Sequence, residues 1–246
     1  ANIEYRFDIG TLTASGSYAN YKTFFNSDGT NPYIAAGRGF LGAPAGPGLP
    51  SVAEALFGVP VDTLLPADSN ARFFASPNMD KWTGEVRFAF DRVGPLELLV
   101  GAFYTNEDNI YYTDLYVETA EGGPAPAPFD LLLKSTTTSK YEEIAGFGNL
   151  TLYITDHLDL TGGLRYAHNK QEAGTGGPGG LTYYVPRTPL TFDFSDESLS
   201  YLGTLRWRPT SNFSTYLRVA SGYRPGGPQT NPTPPADAQT FIEPDT

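Results

Sequence analysis

Between residues 82 and 90, every second position (Trp82, Gly84, Val86, Phe88, Phe90) is uncharged and mostly bulky, while Thr83, Glu85, Arg87 and Ala89 fall between them. A period of two marks an extended strand with one apolar and one polar face. The alternation recurs in about eight segments, joined in turn by very short and very long connections, as in an antiparallel up-and-down barrel. Residues 3–7 and about 11–25 form the first pair, turning at Asp8, Ile9 and Gly10. The second pair, about 79–91 and 96–106, turns through Arg92, Val93, Gly94 and Pro95, which cannot continue either strand. The third covers about 141–155 and 158–170 around Asp156 and His157, and the fourth about 198–208 and 213–223 around Pro209, Thr210, Ser211 and Asn212.

Every second residue of 3–7, 12–18, 82–90, 96–104, 150–154, 158–166, 201–207 and 213–219, counted from the first of each, makes up the apolar set, which carries no Asp, Glu, Lys or Arg. The opposite parity holds Glu4, Arg6, Lys81, Glu85, Arg87, Asp91, Glu97, Asp159, Arg165, Arg206, Arg208 and Arg218. A Lys or Arg on the lipid face of a barrel at the bilayer midplane costs roughly 2–4 kcal/mol, and far less in a wet lumen. That cost accounts for the sorting. A soluble sandwich would alternate too, but its apolar face would need a second sheet. Tyr18, Trp82, Tyr104 and Tyr166 lie towards the long connections, and Phe7, Phe90, Trp207 and Phe213 towards the short ones, as two interfacial girdles would. Eight steps from Trp82 to Phe90, at about 3.3 Å each and a tilt near 45°, project to roughly 20 Å, close to the apolar band of an outer membrane. The expected fold is all-β: a transmembrane barrel, here a partial one, with short periplasmic turns and long extracellular loops. Residues 1–246 read as a single barrel domain.

The long connections follow Phe25, Asn106, Lys170 and Arg224. In the longest, about 26–78, Ser51 to Glu54 form a Ser-x-x-Glu capping pattern that predicts a short helix ending near Gly58. Loops of that length usually carry function. Pro124 to Pro128 and Pro232 to Pro235 read as loop stiffeners, and Gly174 to Gly180 as a Gly-rich tip.

Composition agrees with a barrel: 16 Phe, 16 Tyr, 27 Gly and 21 Pro, with a mean hydropathy of -0.29 and no run long enough for a spanning helix. Cysteine is absent, which removes disulfides and thiolate metal sites. A net charge of -11 argues against a nucleic-acid partner. The chain starts at Ala1 without an export signal, which is expected upstream or removed.

Candidate chemistry is sparse. Gly37-Arg38-Gly39-Phe40-Leu41-Gly42 fits G-x-G-x-x-G, but no buried parallel strand precedes it, and Pro44, Pro47 and Pro50 forbid the long helix that should follow. It reads as a flexible loop. His157 and His168 are the only histidines, too few for a multi-histidine metal site or a Ser-His-acid triad. His168 with Glu172 could touch a ligand, although a surface histidine is the plainer reading. Glu107 with Asp108, and Asp193 with Asp196 and Glu197, could hold Ca²⁺, but their spacing matches no known loop. The lumen set, Glu85, Arg87, Arg165, Arg206 and Arg218, joined by Arg224 beyond the last strand, is the candidate ligand-binding group. It would guide an anionic solute, or pair internally or with a plug. No cofactor is expected, since a metal would arrive already chelated.

Several segments together resemble the barrel of TonB-dependent outer-membrane receptors. Trp82 to Phe88, with Glu85 and Arg87, followed by Pro95 to Tyr104, resembles the pair in which E-x-R leads to a G-x-F-Y strand. Thr155 to Tyr166 resembles T-D-x-L-x-L-x-x-G-L-R-Y, Tyr216 to Gly226 resembles Y-x-x-x-S-x-G-F-R-P-G, and Glu243 to Thr246 resembles the P-E-T start of a further pair. The resemblance covers residues 82–246 well and 1–25 more loosely. It implies twenty-two strands around an N-terminal plug, energy coupling to an inner-membrane complex through that plug, and import of a scarce nutrient, with a ferric siderophore the expected cargo. On this reading the chain is the middle of a monomeric, non-enzymatic outer-membrane receptor of a Gram-negative bacterium, without plug or closing strands. The rivals are a passive outer-membrane channel and a loop-based binding or adhesin barrel; an outer-membrane hydrolase would need a Ser beside a His on the wall, and only His168 is near one.

Overall fold

In the computed structural model, residues 1–125, 127, 130–176, 190–228 and 241–242 are described. Antiparallel strands β1 (Asn2–Phe7), β2 (Gly10–Lys22), β4 (Asn70–Phe90), β5 (Leu96–Glu118), β6 (Leu131–Thr155), β7 (Leu158–Gly176), β8 (Leu190–Thr210) and β9 (Phe213–Ala220) pair in that order, and β3 (Phe25–Asp28) joins the outer part of β4. The result is one open nine-stranded sheet in which every expected strand is present. Beyond β9, β10 (Gly227–Pro228) pairs with β11 (Phe241–Ile242). The tip residues 177–180, the prolines Pro126, Pro128 and Pro232 to Pro235, and Glu243 to Thr246 lie outside the described residues.

Most strands outrun the alternation. β4 begins at Asn70 rather than near 79, β5 ends at Glu118 rather than near 106, and β6 begins at Leu131 rather than near 141. The reason is a change of solvent along each strand. Above Trp82 the formerly apolar parity continues as Asp80 and Asn78, above Tyr104 as Asn106 and Asp108, and above Ile144 as Glu142 and Lys140. Just above the apolar stretch both faces are polar, and farther out it is the inner face that turns apolar, at Ala71, Phe73, Leu115, Val117 and Leu133, so a pattern tuned to one greasy face stops while the backbone ladder carries on.

The interruption between β2 and β3 has a local cause. Thr23 N–H donates to the Pro77 carbonyl at 3.1 Å, so the edge of Pro77 that lacks an N–H faces the same neighbour. The ladder skips Thr23 and Phe24 there and resumes at Phe25 opposite Ala75. Pro209 sits in the irregular pairing between Trp207 and Thr210, at a rim position where a bulge tolerates proline. Gly94, at φ 59°, supplies the left-handed residue of the β4–β5 turn.

The register gives the tilt of the sheet. Val86 pairs across to Ala102, Gly146, Tyr166 and Leu199 in one row. The upper limit of the apolar face lies at Trp82 on β4, above that row, and at Val219 on β9, below it. Its descent of about eight residues over five strand steps is roughly 26 Å against 24 Å, a slope near 45°. Strands so inclined are those of a transmembrane barrel.

The connection from β3 to β4 is folded. A π-helical turn (Thr30–Ile34) leads into α1 (Ala35–Gly42), followed by α2 (Val52–Phe57) and α3 (Val61–Leu64). Residues 37–42, expected as a flexible loop, form most of α1. Leu41 is fully buried, and Arg38 bonds the Leu65 carbonyl and Asp62. The helix stops where Ala43 turns extended before Pro44. Ser51 and Glu54 make both halves of the capping box, and Gly58 ends α2 at φ 74°. Ile34, Leu41, Ala53 and Leu65 form a small core with Ala71, Leu115, Val117, Ala125 and Leu132 of the wall and its β5–β6 connection.

Candidate functional site

The polar face is organised in ionic and hydrogen-bonded rungs, which the register assembles from different strands. Near the short-turn rim, Asp159, 2 % exposed, accepts from Arg206 Nε at 3.0 Å and Arg208 Nη2 at 3.1 Å. Two guanidiniums share one carboxylate, so this rung carries surplus positive charge. Beside it, Tyr153 donates to Glu97 at 2.6 Å while Arg92 stacks 4.0 Å from its ring centroid. Arg6 and Asp91 close the β1 side at 2.7 Å.

Midway up, Arg165 Nη2 lies 2.5 Å from Glu143 Oε1, and Tyr141 donates to Glu143 Oε2 at 2.6 Å. Arg165 also sits 5.7 Å from the centroid of Phe103, and the Phe147 ring lies over Gly101, where a Cβ would fall 2.4 Å from it. One row higher, Lys81 and Glu107 pair at 2.5 Å. Glu143 and Tyr141 were not among the expected site residues; their parity within the third strand pair was the available signal.

The six expected residues take three states. Arg165 and Arg206 are held by carboxylates. Glu85 and Arg87 are neighbours on one strand face, 3.5 Å apart, with Arg87 about half exposed. Arg218 is exposed opposite Thr204 and makes no ion pair with a described residue, and Arg224 is exposed in the segment after β9. They form a dispersed track along the wall, not one converging cluster.

Two connections fold onto the outer part of this face. The helical insert of residues 30–65 packs on Ala71, Phe73, Leu115, Val117 and Leu133, all polar-face positions, and Tyr33 stacks on Phe73 at 5.9 Å. The segment after β9 turns across β7 and β8: Asn169 Nδ2 donates to the Tyr223 hydroxyl at 2.9 Å, Tyr223 donates to Asp196 at 2.6 Å, and Gln171 Nε2 donates to the Gly226 carbonyl at 2.7 Å. Burial, then the Asp196 bond, push the Tyr223 phenol up to about 12. In the insert, the Ser51 hydroxyl and amide hold the Glu54 carboxyl below its ordinary value, and the Thr30 hydroxyl and amide do the same for Asp28.

The remaining candidates separate. Strand alternation puts Asp196 on the polar face and Asp193 and Glu197 on the other, and it divides Glu107, paired with Lys81, from Asp108, 3.8 Å from Lys140. Neither set converges as a cation loop would require. His168 lies 3.9 Å from Glu197 across β8, so its carboxylate neighbour is not Glu172, which pairs in register with Lys140.

A family model described as TonB dependent receptor-like, beta-barrel, matches residues 1–245. The pesticin receptor of Yersinia pestis is 32 % identical over 116 residues, covering 45 % of this chain and 16 % of that protein. The pesticin receptor of Yersinia enterocolitica is 31 % identical over the same length and coverage. The chain thus matches about a sixth of the length of these curated relatives. Among solved structures, the ferric yersiniabactin uptake receptor FyuA of Yersinia pestis superposes with a TM-score of 0.64 at 18 % identity, over 97 % of this chain and 30 % of that one. The siderophore receptor PiuA of Acinetobacter baumannii superposes with a TM-score of 0.55 at 15 % identity, over 92 % of this chain and 31 % of that one.

Proposed function

Because the chain belongs to the TonB-dependent receptor β-barrel family over residues 1–245, we propose that it forms part of the wall of an outer-membrane receptor that takes up a chelated nutrient, with a ferric siderophore as cargo. The observation that carries the proposal is the pair of folded connections on the polar face. An adhesin needs its loops to face outward, whereas here the helical insert and the Tyr223 segment both cover the lumen side of the wall. The names of the similar receptors point to iron chelates.

In this reading the apolar face meets outer-membrane lipid, and the rungs of Asp159 and Glu143 stiffen the lumen. Arg165 and Arg206 are held in those rungs, and Arg218, Arg224 and the loosely paired Arg87 and Glu85 contact the passing solute. Energy reaches the barrel from an inner-membrane complex through a plug segment of the full receptor. The metal is cargo and is recognised through its chelator, by hydrogen bonds and charge on the outside of the complex.

The test is uptake of ⁵⁵Fe-labelled chelates by cells whose only such receptor is the complete protein, with and without a protonophore. Saturable uptake of one chelate class, abolished when the inner membrane is de-energised, is expected. Uptake that persists without energy would make the protein a passive channel, and binding without uptake a surface-binding barrel.

A further inference from the structure

We propose that the outer end of β3, β4 and β5 binds a neutral hexopyranose of a cell-surface glycan, on the side of the wall that faces away from the lumen. The inference rests on the outer-membrane reading above, which sets what surrounds that face. A cavity of about 400 Å³ lies there, lined by Asn26, Ser27, Asp28, Thr30, Asn70, Arg72 and Glu118 around buried Ala71. That volume is within the range of small-ligand sites, and a single sugar ring fits inside it.

Register fixes the composition of the site. Asp28 pairs with Arg72 and Arg72 with Tyr116; Asn26 pairs with Phe74 and Phe74 with Asp114; Asn70 pairs with Glu118. All of these share the face that is apolar lower down. Phe24, Phe74 and Tyr116 make a continuous aromatic run, with centroids 5.8 Å and 5.5 Å apart. Phe24 and Tyr116 remain exposed, and nothing in the core needs their rings there.

Hydrogen-bonding capacity beside that run is mixed and uncommitted. The side-chain amides of Asn26 and Asn70 bond no other described residue. Arg72 engages Glu118 through Nε at 3.1 Å, which leaves its Nη groups available, and the Thr30 amide donates to Asp28 Oδ1 at 2.8 Å. Adjacent donors and acceptors next to an aromatic face suit vicinal hydroxyls and the C–H face of a sugar. A phosphate is disfavoured, because Asp28, Asp114 and Glu118 outnumber Arg72 and Lys134 on this surface. Arg72 lies ten residues beyond Trp82, which at a 45° tilt is roughly 23 Å above the lipid band and level with surface sugars rather than acyl chains.

The experiment uses the complete receptor in detergent, titrated with methyl β-D-glucopyranoside, methyl α-D-mannopyranoside and inorganic phosphate by ligand-observed NMR. Saturable binding of a glycoside is expected, weakened at least fivefold by Asn70→Ala and by Arg72→Gln, both at exposed positions, with the melting temperature unchanged. No saturable glycoside binding, equal binding by the variants, or displacement of glycoside by phosphate would overturn the site. Repeating the titration in vesicles with and without lipopolysaccharide separates the sources: a glycolipid sugar lowers apparent glycoside affinity, and a free saccharide leaves it unchanged. Ferric-chelate binding in the same preparation keeps the two readings apart. Its absence with glycoside binding intact overturns uptake alone, and the reverse result overturns this site alone.

Discussion

An arginine at Val86 is the sharpest test of which face meets lipid. Val86 is four residues from Trp82 and four from Phe90 on β4. With a rise of about 3.3 Å and a slope near 45°, it lies roughly 9 Å from each girdle, at the middle of the band. Val86 is half exposed in the isolated wall, and its neighbours in the row, Ala14 and Ala102, carry no charge that could receive a guanidinium. Val86→Arg in the complete receptor should cost about 2–4 kcal/mol, or roughly a 30- to 900-fold shift in the folding equilibrium. Two controls isolate the cause. Asn78→Arg uses the same strand and face, but eight residues higher and outside the band. Ser15→Arg uses the opposite face of β2, exposed and opposite Glu85 in the register, where an arginine gains a partner. Both should cost less than about 1 kcal/mol. Reversible denaturant titration of the receptor refolded into phosphatidylcholine vesicles, followed by tryptophan fluorescence, measures all three. If Val86→Arg costs no more than Asn78→Arg, the apolar face is not in lipid, and the membrane assignment fails with it.

Asp159→Ala should destabilise the receptor by about 2–3 kcal/mol in the same titration, because it leaves Arg206 and Arg208 facing each other with no shared carboxylate; their partial exposure keeps the cost below that of a fully buried pair. Arg208→Gln should cost less, since Arg206 still neutralises Asp159. Ser51→Ala removes the hydroxyl half of the α2 capping box and should lower local stability by about 1 kcal/mol, seen as faster hydrogen exchange over residues 52–57 with the strands unaffected. Tyr223 titrates near 12 in the folded wall against an ordinary value of 10.0, so its neutral form is favoured by folding. The stability it lends is fully present below pH 10 and is lost as pH rises towards 12. Proteolytic nicking in residues 221–226 should increase over that interval, and Tyr223→Phe should remove the step.

How much could be read from sequence followed from where one face alone was greasy. Strand pairing, short turns and the polar-face positions of Arg87, Arg165 and Arg206 were legible because a strict period of two runs through the middle of each strand. The outer halves of β4, β5 and β6 were not, since Asp80, Asn106 and Glu142 put charge or amide on the second face as well. The capping box at Ser51 was legible because four residues carry its whole chemistry. The helix over Arg38 was not, because its stability comes from Leu65, Leu132 and the wall, far away in sequence. Partners on neighbouring strands, such as Glu143 for Arg165 and Asp159 for Arg208, needed the register, which alternation alone leaves open.

The division of charge along the wall also bears on transport. A lumen lined by free arginines would bind an anionic chelate tightly at every level and release it slowly, whereas conduction needs sites weak enough to leave. Here most cations are already neutralised: Arg6 by Asp91, Lys81 by Glu107, Arg165 by Glu143, and Arg206 with Arg208 in part by Asp159. Uncompensated charge remains at Arg218 and at the shared Asp159 rung, both on the β7–β9 side. The helical insert covers the β4–β6 side. On the uptake proposed above, an anionic solute passing this wall would meet packed loop on one flank and available positive charge on the other. Neutralising Arg218 with glutamine should slow uptake of an anionic chelate while leaving a neutral one unchanged, and an equal effect on both would mean that Arg218 serves only the structure of the wall.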